Sequence, residues 1–151
     1  MVVSDATTLI ILFDLDKKKY LYNLFEKVYI PQKVYEEISA KKSIELDSFF
    51  EIVEVDESEL LKSLRAILDD GESEAISFAK EKNLPLIIDE KKGRKVAGNL
   101  DLKIIGLLGI LMLNIQRGHI AKKDALVFLQ SAIKNGYRIS TKLINQFKEQ
   151  I

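Results

Sequence analysis

Short apolar runs alternate along the chain with longer stretches in which apolar positions recur every three or four residues, the rhythm of an α/β protein. A strand over Met1 to Val3 precedes a helix from about Thr7 through Phe13. Tyr20 to Phe25 reads as a further helix and Val28 to Ile30 as a strand. Pro31 suits the first turn of the next helix, where its missing N–H is not needed, and that helix runs to about Ala40. Phe50 to Val55 alternates as a strand, Glu57 to Leu68 is helical, and Gly71 separates it from a helix over Glu72 to Lys82. Leu84 to Ile88 is apolar throughout, as expected of a central parallel strand covered on both faces. A helix starts near Gly93 to Ala97, and a last strand covers Leu102 to Ile105. The remainder is helical over Leu107 to Ile115, Lys122 to Lys134 and Ser140 to Lys148, with Gly118 and Gly136 as stops and Ser140 as a cap.

At 151 residues, 47% of them apolar, the chain has the length of one domain, residues 1–151, and ample material for a single core. Pro and Gly are sparse, and no low-complexity linker interrupts it. With 23 basic and 23 acidic residues the formal charge is zero, so any polyanion must be held by a local patch rather than a bulk field. Cysteine is absent, which removes disulfides, thiolate zinc sites and cysteine nucleophiles and leaves oxygen atoms as metal ligands. The longest apolar run, Leu102 to Ile115, carries Lys103 and is too short to span a bilayer, and no basic-then-apolar leader opens the chain. A soluble cytoplasmic protein without membrane association is expected.

Four acids occupy positions that packing does not explain. Asp5 follows the apolar Val2-Val3-Ser4, Glu37 lies on the helix begun by Pro31, Glu72 opens the helix after Gly71, and Asp89 ends the run Leu84 to Ile88. If the strands are parallel, their carboxyl ends gather these acids at one edge of the sheet, where open α/β folds place their sites. Two carboxylates about 5 Å apart repel by roughly 3 kcal/mol at an effective dielectric near 20, so such a cluster calls for a counter-charge. Mg²⁺ or Mn²⁺ suits an all-oxygen ligand set. Simpler roles compete: Asp5 before Ala6-Thr7-Thr8 reads equally as a helix cap, and Glu72 as a first-turn residue favoured by the helix dipole. Glu37, Glu72 and Asp89 also have acidic rivals in Glu36, Glu74 and Glu90. Helical spacing puts Glu37 beside Val34 and Ile38, and Glu72 beside Ala75, Ile76 and Ala79, which favours those two; Asp89 and Glu90 stay undecided.

The segments VVSDATTLI, YIPQKVYEEI, LDDGESEAISFA, LPLIIDEKKGRKVA, IIGLLGIL and NGYRIS follow one another from Val2 to about Leu143. Together they resemble a PIN-domain protein, in particular the small prokaryotic PIN proteins related to VapC toxins. The resemblance implies a three-layer α/β/α sandwich around a parallel sheet, and a metal-dependent endoribonuclease that hydrolyses RNA phosphodiester bonds. It carries Asp5, Glu37, Glu72 and Asp89 over as the catalytic and metal-holding acids, with Mg²⁺ or Mn²⁺ as cofactor and Thr7 or Thr8 as a supporting hydroxyl. Toxin members pair with an antitoxin that inserts a segment near the site, and many dimerise, so an antitoxin and a homodimer are implied as partners beside RNA. The chain departs from the toxins in two places: they commonly carry an aspartate where Glu72 stands, and a threonine near the end of the fourth strand where this chain has Ile88-Asp89.

Lys91, Lys92, Arg94 and Lys95 lie directly beside Asp89 and are candidate RNA phosphate contacts, Arg94 foremost; a solvated helix start is the alternative. Tyr20, Tyr22, Tyr29 and Tyr35 could stack on bases or form a partner groove, although core and edge packing is the favoured reading. One rival function is a haloacid-dehalogenase-type phosphatase with Asp14 as nucleophile, suggested by the apolar run Leu9 to Phe13 ending in Asp14-Leu15-Asp16. Lys17-Lys18-Lys19 stand where that motif wants small and hydroxyl residues, which disfavours it. Another is a PIN-like protein-binding module without catalysis. His119, the single histidine, follows Gly118 at a turn and is read as packing or capping, and Gly106-Leu107-Leu108-Gly109 lacks the lysine of a phosphate-binding loop.

Overall fold

The computed structural model describes residues 1–151 and contains five strands: β1 (Val2–Ser4), β2 (Val28–Pro31), β3 (Phe50–Val53), β4 (Leu86–Ile87) and β5 (Ile104–Ile105). All pair in parallel, in the order β3-β2-β1-β4-β5. The helices are α1 (Ala6–Asp14), α2 (Lys19–Tyr22), α3 (Gln32–Lys41), α4 (Glu59–Arg65), α5 (Asp70–Lys82), α6 (Lys91–Asn99), α7 (Leu107–Gln116), α8 (Lys122–Lys134) and α9 (Thr141–Gln150). They cover both faces of the sheet in a three-layer α/β/α sandwich. One continuous apolar core joins Val2 and Val3 on β1, Ile76 and Ala79 on α5, Leu111 on α7 and Phe147 on α9.

The chain moves outward from β1 to β2 and β3, then returns to place β4 on the other side of β1. The direction of winding therefore reverses between β1 and β4, and the connections leaving their carboxyl ends part to open a crevice. The register sets what lines it. Ser4 lies opposite Ile87, and the Asp5 N–H donates to the Ile87 carbonyl at 2.9 Å, so Asp5 and the segment Ile88-Asp89-Glu90 leave the sheet side by side.

α5 is the most enclosed helix. Residues Gly71 through Ala79 are all buried, because α5 lies against β1, β2, α3 and α4, and its small Gly71, Ser73, Ala75, Ser77 and Ala79 let those neighbours approach. Asp69 caps its amino end by accepting from the Glu72 N–H at 2.8 Å, and Asn83, in the left-handed conformation at φ 53°, ends it.

Several element boundaries differ from the sequence reading for local reasons. Gly71 is no separator; it sits in the first turn of α5, where Asp69 supplies the cap. Pro31 closes β2 and precedes α3 instead of forming its first turn. The helix read over Tyr20 to Phe25 is the single turn α2, and the strand read over Leu84 to Ile88 shortens to Leu86–Ile87, since only those residues face partners on both sides, β1 and β5. No helix is long and apolar enough to cross a membrane.

Candidate active site

Asp5 occupies the cap position of α1, yet its side chain makes no capping hydrogen bond. It is only 5% exposed, and its Oδ1 has no hydrogen-bond partner at all. Asp5 is therefore no ordinary cap of α1, because one of its carboxylate oxygens is buried with nothing to bond to.

Glu72 enters the same crevice from α5. Its residue is 4% exposed and its Oε2 is likewise unpartnered. α6 crosses so close that a Cβ on Gly93 would stand 2.6 Å from this oxygen. The rival Glu74 is also buried, so burial does not separate the two; hydrogen bonding does. Glu74 Oε1 accepts from the Lys33 N–H at 3.1 Å and satisfies the otherwise orphaned amino end of α3.

Glu37 comes from α3, half-buried, while Glu36 is exposed and pairs with Lys33 at 3.5 Å. A Cβ on Gly71 would lie 3.2 Å from Glu37 Oε2 and 3.7 Å from Asp5 Oδ1, so both oxygens flank one point beside the first turn of α5. A side chain there would press on the Glu37 carboxylate.

Two further carboxylates join them. Asp69, at the α5 cap, and Glu90, at the start of α6, both act electrostatically on Asp5, Glu37 and Glu72. The sequence did carry a signal for Asp69: an Asp three residues before a Glu ahead of an apolar run is a capping-box pattern, which ties Asp69 to Glu72.

Asp89 is placed differently. Its Oδ2 accepts from the Thr8 hydroxyl, and its Oδ1 accepts from the Leu107 N–H at 3.2 Å and the Tyr137 hydroxyl at 3.0 Å. Those three donors tie α1, the start of α7 and the α8–α9 connection to the end of β4. The structure thus brings Asp5, Glu37 and Glu72 together and does not bring Asp89 into their group; the adjacent Glu90 stands there instead. Thr8 acts on Asp89, and Thr7 lines a neighbouring cavity of about 420 Å³ with Glu90, Lys41 and Arg138.

The electrostatics follow from burial without compensation. Desolvation, reinforced by Asp69, Glu37 and Glu90 and only partly offset by the Ala6 N–H, pushes the Asp5 carboxyl up to about 7. Burial, a hydrogen bond with Asp69 and the charges of Asp69, Asp5 and Glu90 push Glu72 up to about 8. Burial, then Asp69 and Glu90, raise Glu37 against the pull of Lys41. The salt bridges of the protein, Lys27–Glu51, Lys33–Glu36, Lys42–Asp14 and Arg65–Glu57, leave all five acids unpaired.

A family model described as DUF3368, a PIN domain, matches residues 1–151. The chain belongs to this PIN-domain family. No curated protein matches it. PIN domains are in general metal-dependent nucleases.

As a PIN domain the chain should offer its acids to a divalent ion, and the fit can be judged from the donors. They are hard carboxylate oxygens, and two of them, Asp5 Oδ1 and Glu72 Oε2, are buried without any partner. That donor chemistry fits a hard divalent cation. In this conformation, however, no three acidic or histidine side chains stand close enough to hold an ion jointly, so Glu37 and the exposed Glu90 would have to turn inward to complete a set.

The remaining candidates are placed by their surroundings. Leu9 to Phe13 is helix, not the strand that the phosphatase motif requires, and Asp14 ends α1 paired with Lys42, so the phosphatase reading has no structural support. His119 is exposed beside a cavity of about 690 Å³ lined by Leu15, Lys19, Asp124 and Phe128, which holds none of the five acids. Tyr20, Tyr22 and Tyr29 pack edge-on or tilted against Phe128, Phe49 and Phe78. Of the basic run, Lys91 and Arg94 line a cavity of about 670 Å³ beside Asp89, whereas Lys92 and Lys95 are exposed outside its lining.

Proposed function

We propose that this PIN domain is a metal-dependent endoribonuclease in which Asp5, Glu37 and Glu72 hold Mg²⁺ or Mn²⁺, with Asp69 and Glu90 at the rim and Asp89 fixing the backbone from which Glu90 projects. The observation that carries the reading is the pair of buried, unpartnered oxygens, Asp5 Oδ1 and Glu72 Oε2, at the topological switch point of a parallel sheet. Carboxylates buried without a cation are costly, and a divalent ion removes that cost. When bound, such an ion supplies positive charge to the phosphoryl group in flight and acidifies water for in-line attack. The chain's own part is to aim the acids from three different elements and, through Arg94 and Lys91, to meet the phosphates of the strand.

The resemblance to VapC-type toxins supports a further step: toxicity on expression, neutralisation by an antitoxin segment near the crevice, and assembly as a homodimer. A second reading, a protein-binding PIN module without catalysis, draws on one observation, that no three acids converge in this conformation.

The test combines calorimetry with Mg²⁺ and Mn²⁺ and cleavage of labelled single-stranded RNA, using the wild type and Asp5→Asn. The nuclease reading expects metal-dependent cleavage and weaker metal binding in the variant. Absence of cleavage with both metals, together with metal binding unaltered by Asp5→Asn, refutes it. Metal binding without cleavage favours the non-catalytic module.

A further inference from the structure

The cavity of about 670 Å³ beyond Asp89 is walled by β5, the start of α7, α6 and the chain entering α9, and no step proposed above requires its shape. Its two kinds of wall are chemically distinct. On one side stand Lys91 and Arg94, one turn apart on α6, neither in a salt bridge. Arg94 is half-buried, and its Nη1 lies 2.6 Å from where a Cβ on Gly106 would be, so the missing side chain at Gly106 is what admits the guanidinium. On the other side are Ile104, Leu108, Ile139 and Leu143. Leu143 is 48% exposed although it belongs to an amphipathic helix whose Phe147 is buried, which leaves an apolar side chain facing open space at the cavity mouth.

We infer that this cavity is a nucleotide subsite, which holds one base of a single-stranded RNA against Leu108, Ile139 and Leu143 and its phosphate against Arg94 and Lys91. The inference rests on the nuclease reading for its polymer. Two features of the cavity select a nucleotide. Cations of fork and point geometry outside any salt bridge suit phosphate oxygens, and a wall of apolar side chains suits a base face, which every base presents. Position supplies the link to the candidate site: Asp89 and Tyr137 line both this cavity and the 420 Å³ cavity that also contains Glu90, so a strand seated here continues past Tyr137 to Glu90 at the rim. The volume exceeds that of a single base, and the apolar wall offers a contact that the face of any base can make.

Adenosine and uridine 5′-monophosphates serve as probes, with ribose 5-phosphate as the baseless control, followed by methyl and Arg side-chain NMR of the full chain without added metal. Shifts are expected at the Leu108, Ile139 and Leu143 methyls and at the Arg94 guanidinium, and weaker ones with ribose 5-phosphate. Arg94→Ala should weaken nucleotide binding by about tenfold, the usual cost of a lost charge-assisted phosphate contact, and raise KM for RNA more than it lowers kcat. Leu143→Glu, at an exposed position where folding is not threatened, should weaken binding as well. Nucleotides that leave these signals unmoved, or that bind both variants as well as the wild type, overturn the subsite. So does a cavity that takes an acidic, apolar peptide and no nucleotide. Arg94-dependent nucleotide binding by a protein that cleaves no RNA keeps the subsite and removes the nuclease reading.

Discussion

Replacing Asp5 by Asn should stabilise the metal-free protein above neutral pH, the reverse of what removal of a paired carboxylate does. Folding raises this carboxyl from its ordinary 3.8 to about 7, with burial as the main cause. Between those limits the folded state keeps a proton that the unfolded chain has released, so stability is fullest below about pH 4 and falls as pH rises through about 7. Roughly three pH units at about 1.4 kcal/mol each give a loss of about 4 kcal/mol from Asp5 alone. Glu72, raised from 4.5 to about 8, extends the decline to higher pH, but part of its rise comes from the Asp5 charge and the two losses do not simply add. Asn carries no charge to bury, and its amide can donate toward Glu37 Oε2, which flanks the same point beside Gly71. In urea unfolding with EDTA, the wild type should therefore lose several kcal/mol between pH 5 and pH 8.5, and Asp5→Asn about 2–4 kcal/mol less, a large share of a typical domain's stability. Saturating Mn²⁺ should restore the wild type at pH 8.5, by about 2.7 kcal/mol at a hundredfold excess over Kd, and leave the variant nearly unchanged. A wild type whose stability is flat from pH 5 to pH 8.5 in EDTA, or a variant less stable than wild type at pH 8.5, would show that the crevice already compensates its acids.

Glu90→Gln should weaken divalent-ion affinity in calorimetry while shifting the urea midpoint little, because Glu90 is exposed; Asp89→Asn should cost about 1–3 kcal/mol of stability through its three donors and leave ion affinity nearly intact. The opposite pattern would make Asp89 the ligand. Gly93→Ala sets a methyl 2.6 Å from Glu72 Oε2 and from Ile88 Cδ1, so about 1–3 kcal/mol of destabilisation and weakened metal binding should appear together; a variant as stable as wild type contradicts the close approach of α6. Asn114→Leu strips the fully buried amide that donates to the Tyr20 and Ile110 carbonyls and accepts from Asn23 at 2.9 Å, and thermal unfolding should register about 1–3 kcal/mol; no loss would mean that α2 is not held to α7 in this way.

What the sequence made legible was whatever a period of hydrophobicity or a single chemical oddity records. Strands such as Val2–Ser4 and helices such as Lys122–Lys134 announce themselves by apolar spacing, Asp5 by following an apolar strand, and Glu72 by sharing a helix face with Ala75, Ile76 and Ala79. Asp89 and Glu90 could not be told apart by that means. Both follow the same strand, and their surroundings part only because Thr8, Leu107 and Tyr137, distant in sequence, converge as donors on Asp89 while Glu90 stays exposed. Gly71 likewise looked like punctuation, since a glycine between two helical patterns usually is. Its reason is tertiary: α3 and the end of β1 bring Glu37 and Asp5 to within 3.7 Å of where its side chain would be. The same holds for Gly93 against Glu72 and for Gly106 against Arg94, so three glycines mark the three places where a charged side chain is threaded between elements. Around this crevice, the missing Cβ atoms locate the charged groups more sharply than the acids' own spacing does. A search of related chains for Gly71, Gly93 and Gly106 together with Asp5, Glu72 and Arg94 would therefore test the site as a unit: substitution of a glycine should coincide with loss of the charge it accommodates.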